Sequence, residues 1–243
     1  MLSNHLFLDK ILISFKEFIS KGTSRSTAKL KPLHGAIAAD IAERLGDHYH
    51  VYSQGYGDGK EKKIDGRYID KMVDITIEDA DTQTPVAGIG IKFVMQNYSQ
   101  NSNNYFENML GETANIRTAN CPYFQIFIIL DKLPYYENSG TLKKWEEFTD
   151  HNMSKYCKLS ADNVDTYFHT PNKTLICVAH IEPDVPTNTG TKADYMAFYR
   201  SRLDNLIISF SNHKYTGITH NGTIIMNDYE KFIDKVYHTI KSI

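Results

Sequence analysis

Cysteine is scarce in this chain. Cys121, Cys157 and Cys177 stand far apart among 243 residues, with no C-x-x-C spacing. Three dispersed thiols argue against a disulfide framework and against a zinc site, and suit buried cysteines in a reducing cytoplasm. No apolar run approaches the ~20 residues of a membrane span. The first stretch, MLSNHLFLDKILISFKEFI, is interrupted by Asp9, Lys10, Lys16 and Glu17. It reads as an amphipathic helix and not as a signal peptide. A cytoplasmic protein without a membrane partner is expected. A basic excess is also missing. The net charge of −2 gives no bulk hint of nucleic acid, although one local basic face would suffice to bind it. Phosphate loops of the G-x-x-x-x-G-K-[ST] or G-x-G-x-x-G kind and the G-x-S-x-G nucleophile elbow are absent. No internal repeat, low-complexity tract or linker divides the chain.

What is present suffices for a large core without staples: 41% of residues are hydrophobic and 23% charged. Residues 5–20 read as a helix. KGTSRSTAKLK follows, a basic loop whose Lys21, Arg25, Lys29 and Lys31 suit phosphate contacts. In the next helix, 33–45, Ile37, Ile41 and Leu45 form the apolar face, and Gly46 marks its end. HVYSQGYGDGKEKKIDGRY is turn-rich. YIDKMVDITIE then alternates as a strand, and Val86 to Val94 forms a second one. The short DADTQTP connection makes the pair an antiparallel hairpin. A helix is expected over about 103–118. YFQIFIIL is a buried strand, LKKWEEF starts a short helix, and KTLICVAHI is another buried strand. Residues 193–210 and 227–242 read as closing helices. The expected fold is α/β, with a mixed central sheet flanked by helices. It forms one domain over 1–243, with N-terminal helices in 5–45, a core over about 33–181 and C-terminal helices over about 193–242.

Two charges sit where a strand should be apolar. Asp74 lies between Val73 and Ile75, and Lys92 lies in GIGIKFV. A lone buried carboxylate is costly, so Asp74 needs a cation, a metal or a hydrogen-bond cluster. If the non-aliphatic faces of the hairpin coincide, Asp74 and Lys92 meet. They then form either a structural ion pair or a phosphodiester-cleaving site. In such a site a carboxylate holds a divalent cation and a lysine orients the attacking water or stabilises charge on phosphorus. Hard oxygen ligands favour Mg²⁺ or Mn²⁺.

The order helix, Asp-bearing strand, turn, x-x-Lys strand, helix, buried strand resembles the PD-(D/E)XK nuclease superfamily, to which most type II restriction endonucleases belong. The resemblance covers roughly residues 33–181 and rests on a short motif. It implies a restriction-endonuclease-like core, Asp74 as the metal-binding Asp and Lys92 as the motif Lys. One residue departs from the pattern: the motif's acid, two before the Lys, is Gly90. Some members of the superfamily place that acid on the following helix, which here offers Glu107 and Glu112. Glu107 falls opposite the apolar face set by Tyr105, Phe106, Met109, Thr113 and Ile116, although its distance from Lys92 along the chain suits a migrated acid. Glu112 falls beside that face. It also extends a polar row at helical spacing, Asn97, Asn101, Asn104, Asn108, Glu112 and Asn115, and is the preferred second metal ligand with Asp74. The amides suit phosphate or base contacts, and Gln96 is placed near the same site. Glu43, on the earlier helix where nucleases of this group often carry a Glu, is a further candidate acid. The ten His, among them His48, His50 and His180, read as ordinary core or surface residues. Of the 16 Tyr, Tyr49, Tyr52, Tyr56 and Tyr98 lie near polar loops where DNA contact is conceivable.

The resemblance implies a Mg²⁺-dependent (or Mn²⁺-dependent) DNA endonuclease of type II restriction character, acting on double-stranded DNA as a homodimer. Two alternatives stay open: a nuclease-fold protein that binds nucleic acid without cutting it, and an unrelated α/β domain in which Asp74 and Lys92 pair structurally.

Overall fold

A computed structural model describes residues 1–22, 27–219 and 222–243. In chain order the helices and strands are α1 (Asn4–Lys21), α2 (Lys31–Leu45), β1 (Tyr49–Ser53), β2 (Lys62–Asp65), β3 (Asp70–Val73), β4 (Ile75–Asp79), β5 (Pro85–Val94), α3 (Tyr98–Arg117), β6 (Tyr123–Leu130), β7 (Lys132–Tyr136), β8 (Leu142–Glu147), α4 (Asp150–Ser160), β9 (Thr174–Glu182), α5 (Lys192–Arg200), β10 (Ile207–Phe210), β11 (Ile224–Met226) and α6 (Tyr229–Lys241). Among the described residues no helix is long and apolar enough to cross a membrane.

The fold is α/β, built on a mixed sheet in the order β1-β4-β5-β6-β9-β10, with β11 also paired to β9. β1, β4 and β5 run antiparallel; β5, β6 and β9 run parallel. The parallel step from β5 to β6 requires a crossover, and α3 supplies it. β6 is buried at every position because both of its faces are covered. On one face Phe124 meets Phe232 of α6 edge-on. On the other, Phe127 packs against Tyr98 of α3 and Tyr156 of α4.

Local chemistry explains the helix ends. Ser3 caps α1 by accepting from the Leu6 amide at 3.3 Å, and Gly22 closes the helix at φ 68°. Asp40 ties the N-terminal and C-terminal helices together. This buried carboxylate of α2 accepts from the Leu2 amide (2.8 Å), Arg44 (3.2 Å) and the Tyr229 hydroxyl (2.9 Å). Phe7 stacks on the same Tyr229 at 4.5 Å.

Five expectations change. The strand expected through YIDKMVDITIE breaks at Asp74, because β3 leaves the main sheet there to pair with β2. The turn-rich segment before it contains β1 and β2. LKKWEEF is strand β8 and not a helix. The lysines and glutamates favour a helix locally, but pairing with β7 overrides that preference. Helix α5 stops at Arg200, and Ile207–Phe210 instead forms an edge strand on β9. Residues 98–102, ahead of the helix expected over about 103–118, are the first turns of α3. Asn97 stands just before them at φ 52°. Its amide clamps β7, accepting from Tyr136 N and donating to Tyr136 O, each at 3.0 Å.

The β2–β3 hairpin is held to α3 by Asn115. The Asn115 carbonyl oxygen accepts from the Tyr68 amide (2.9 Å) and the Ile69 amide (3.2 Å), while its nitrogen donates to Ile69 O (2.8 Å). Tyr68 nevertheless remains 80% exposed, so side-chain burial does not hold this turn. Asn115→Ala should therefore raise the amide exchange rates of Tyr68 and Ile69 about tenfold while core strand β6 keeps its protection. Unchanged exchange at the hairpin would show that the turn stands without Asn115.

Candidate functional site

The site begins where β3 and β4 part. β4 pairs with β5 through Ile75↔Ile89 and Thr76↔Gly88. One residue earlier, Asp74 stands opposite Gly90, and the chain turns away. The Ile91 amide, facing the gap, donates to Asp74 Oδ2 at 2.6 Å. From β1, the Ser53 hydroxyl donates to Asp74 O at 2.7 Å. The carboxylate is thus fixed at a break in the sheet. Burial raises its pKa to about 6. The Ile91 hydrogen bond works against that rise, Glu112 adds to it, and Lys71 and Lys92 oppose it.

Asp74 lines an open pocket of about 220 Å³ with Lys92, Asn108, Glu112 and Gln125, over an apolar side made by Tyr105, Met109, Phe127 and Tyr156. Strand alternation puts Gly88, Gly90 and Lys92 of β5 on one face, with Tyr123, Gln125 and Phe127 of β6 beside them in register. The Lys92 ammonium lies 4.4 Å from the centroid of the Tyr105 ring. Burial of the ammonium lowers its pKa, while Asp74 and Glu112 pull the value back up. Across the pocket Glu112 Oε1 pairs with Lys71 at 2.5 Å, and Glu112 Oε2 accepts from the Tyr123 hydroxyl at 3.4 Å.

Gly90 leaves no empty socket. A Cβ there would lie 2.6 Å from the Tyr123 hydroxyl and 3.0 Å from both side-chain polar atoms of Gln125. The space that an acid at position 90 would occupy is filled from the neighbouring parallel strand. A side chain at 90 would require the ends of Tyr123 and Gln125 to shift, and the carboxylate facing Asp74 across the pocket comes from α3.

A second group of ligand-type side chains meets at Asp74. Ligand atoms of His34, Glu61 and Asp74 lie within 4.8 Å of one another. His34, in the first turns of α2, is 3% exposed, and neither ring nitrogen has a hydrogen-bond partner among the described residues. Burial lowers its pKa to about 4, which keeps the imidazole neutral. Glu61 has its pKa raised by burial and then by Asp74, and it accepts from Gln54 Nε2 at 2.8 Å. Two glycines allow this assembly. A Cβ on Gly35 would lie 2.3 Å from Gly55 O, and a Cβ on Gly55, at φ 79°, would lie 2.3 Å from Lys31 O. The loop after β1 therefore rests directly on the start of α2. Ser53, at the end of β1, holds the Asp74 backbone, and Gln54, in the loop, holds the Glu61 side chain.

The structure brings together Asp74, Lys92, Glu112 and Asn108 and leaves other expected residues elsewhere. Glu107 is exposed on α3 and lies outside the pocket; the pKa of nearby Lys155 is lowered by burial, which Glu107 partly offsets. Glu43 is exposed and pairs with the Met1 ammonium at 2.8 Å. Asn97 is committed to its clamp on Tyr136. Asn101 bonds toward Tyr105, Asn104 is exposed, and Gln96 does not line the pocket. Lys21 pairs with Glu17 at 2.8 Å, and Lys31 opens α2 on the surface. Lys29 is buried over the Phe18 ring. Its pKa is lowered by burial first and then by Lys92 and Lys192, and it does not line the pocket. Arg25 lies outside the described residues.

His34, Glu61, Lys71, Tyr123 and Gln125 escaped the sequence reading. Two of them had a visible signal. His34 precedes Ile37 and Ile41 by three and seven residues and so shares the apolar face of α2. Gln125 is the single amide inside YFQIFIIL. Glu61 and Lys71 had none, since their positions depend on the loop after β1 and on the break at Asp74. No protein-family model, no curated protein and no solved structure matches the chain, so the chemistry of these residues carries the functional reading.

Asp74 and His34 make opposite contributions to acid stability. Asp74 titrates near 6 when folded and near 3.8 when unfolded. The folded state binds the proton first, and stability rises as pH falls from about 6 to 4. His34 titrates near 4 when folded and near 6.5 when unfolded. The unfolded state binds the proton first, and stability falls over pH 6.5 to 4. Between pH 7 and pH 4.5 each contribution is about 2 kcal/mol. In EDTA-treated protein, Asp74→Asn should lose about 2 kcal/mol more than wild type over that interval, and His34→Gln about 2 kcal/mol less. Denaturant unfolding at the two pH values checks both. Three parallel profiles would mean that neither group is desolvated as described.

Proposed function

We propose that the chain is a divalent-cation-dependent endonuclease of restriction-endonuclease-like fold, a cytoplasmic enzyme that hydrolyses phosphodiester bonds of double-stranded DNA as a homodimer. One observation carries this reading: a desolvated carboxylate, Asp74, a solvent-reaching ammonium, Lys92, whose pKa is lowered by partial burial, and a second carboxylate, Glu112, face a single open pocket. A core packed for stability alone would gain by replacing them with apolar residues.

Lys92 is placed to bind a phosphate oxygen or to orient the attacking water. Its lowered pKa reflects a site where charge is poorly screened, which strengthens its attraction for the extra negative charge that develops on phosphorus. The polar atoms of Asn108 and Gln125 face the same space and can orient a phosphate or a base edge. Gln125, held in register beside Gly90, stands where the family's acid would project, and it supplies an amide in place of a charge.

The residues present suit a cation. Asp74 offers a desolvated carboxylate, and the orphaned imidazole of His34 lies within ligand distance of it. Asp74 would hold Mg²⁺ or Mn²⁺, with Glu112 facing it across the pocket. When bound, such an ion polarises the phosphate and acidifies a water. A second reading has a specific observation behind it. Glu112 is already engaged by Lys71, and no acid stands at position 90, which favours a nuclease fold that binds nucleic acid without cutting it.

Incubation with plasmid or phage DNA separates the readings. The nuclease should yield discrete fragments with Mg²⁺ or Mn²⁺ and none with EDTA. Asp74→Ala and Lys92→Ala should each lower cleavage about 100-fold or more, with unfolding transitions close to wild type, and Glu107→Gln should leave it unchanged. Retarded but intact DNA under all conditions would establish the binding reading instead.

A further inference from the structure

The strongest unexplained feature is His34. A buried neutral imidazole normally donates from one nitrogen and accepts at the other. Among the described residues His34 does neither, and each unmet group costs about 1–3 kcal/mol. Nothing in the packing of α2 requires that cost, since Leu33 and Ile37 already supply its apolar contacts. The ring faces two carboxylates that are themselves desolvated, Glu61 and Asp74. Three ligand atoms around one ion, each about 2.1 Å from it, lie about 3 to 4.2 Å apart. The ligand atoms here fall within 4.8 Å of one another. Gln54 orients Glu61 from behind, and the Ile91 amide orients Asp74, as outer partners do around metal ligands.

We infer that His34, Glu61 and Asp74 form a mixed nitrogen–oxygen site for one divalent first-row transition cation, for which Mn²⁺ serves as the paramagnetic probe. The inference deepens the nuclease reading by assigning the cation's ligands, and it stands on its own binding measurement. Asp74 is the residue common to this cluster and to the pocket, so the ion would sit beside the Lys92 space and not within it. An imidazole ligand discriminates among cations: it suits transition metals, whereas Mg²⁺ prefers oxygen ligands and water. A second grouping on the chain makes the contrast clear. His48 lies against Asp79 and Asp81, but it is exposed, and its nitrogens are met by those carboxylates at 3.3 and 3.5 Å. Nothing there is orphaned, and it carries no site.

The test uses the full chain, stripped with EDTA and titrated with Mn²⁺ alone. Loss of the free-ion electron paramagnetic resonance signal gives stoichiometry and affinity, and spin-echo modulation detects a coordinated nitrogen. One Mn²⁺ should bind, with nitrogen modulation, and Mg²⁺ should displace it only at about tenfold or greater excess over an equivalent Mn²⁺ concentration. His34→Gln should abolish the nitrogen modulation and weaken Mn²⁺ binding about 10- to 100-fold, since a ligand counts at least as much as an outer partner. Gln54→Ala, which leaves the three ligands in place, should weaken binding about tenfold while keeping the modulation. His48→Gln should change nothing. Wild-type protein without nitrogen modulation, or His34→Gln binding Mn²⁺ as wild type does, would overturn the assignment. If His34→Gln fails to fold by circular dichroism, Gln54→Ala and the wild-type modulation decide the matter. His34-dependent binding without DNA cleavage keeps the site and removes the nuclease reading. Cleavage without His34-dependent binding does the reverse.

Discussion

The bond from the Ile91 amide to the Asp74 carboxylate is the constraint on which the rest of the site depends. An antiparallel strand that continued past Ile75 would have paired with β5 through its backbone and turned position 74 into one more side chain on the sheet. Instead the chain departs, and a carboxylate takes the place of a backbone acceptor. The departure frees β3 to pair with β2, and that hairpin brings Lys71 to Glu112. The substitution also holds a desolvated acid beside a strand face that carries Gly88, Gly90 and Lys92, the face least able to bury it with apolar contacts.

Position 90 shows how a parallel neighbour reshapes a site. In-register pairing sets Gln125 beside Gly90 and Tyr123 beside Gly88, and the two side chains lean into the space above the glycines. The Tyr123 hydroxyl reaches Glu112, while Lys71 approaches the same carboxylate from the hairpin. One acid on α3 is therefore met by groups from two strands, and a compact charge at position 90 is replaced by a polar wall. The wall belongs to the core as well, because β6 is buried along its whole length.

The hairpin of β4 and β5, the α3 crossover and the buried strands β6 and β9 were legible because their signals are local: alternation, short turns and long apolar runs. Asp74 and Lys92 were legible for the opposite reason, as charges that contradict those signals. What escaped depends on contacts distant in sequence. Strand β8 reads as helix until β7 is available to pair with it, and β10 until the edge of β9 is available. Glu61 acquires its position only after Gly35 and Gly55 bring the loop after β1 onto α2. His34 lay in between, since its place on the apolar face of α2 could be read, but its lack of a partner could not. Glu43, on the same helix, points to solvent because the face opposite Ile37 and Ile41 is the outer one.

Burial without partners marks function more strongly here than clustering does. His48, Asp79 and Asp81 form a tight group, yet solvent screens them and they satisfy one another, so little free energy is at stake. Among the described residues His34, Glu61 and Asp74 are desolvated and Lys92 is partly so, and the fold supplies only part of what each needs: an amide for Asp74, a glutamine for Glu61, a ring face for Lys92 and no partner for His34. Each deficit lowers stability, and apolar residues of similar volume would remove most of it. The deficits also point the same way, toward the ground between α2, the break at Asp74 and the open pocket. The proposed reading accounts for this common direction, since two acids and an imidazole beside an ammonium have the chemistry to take a cation next to an anion.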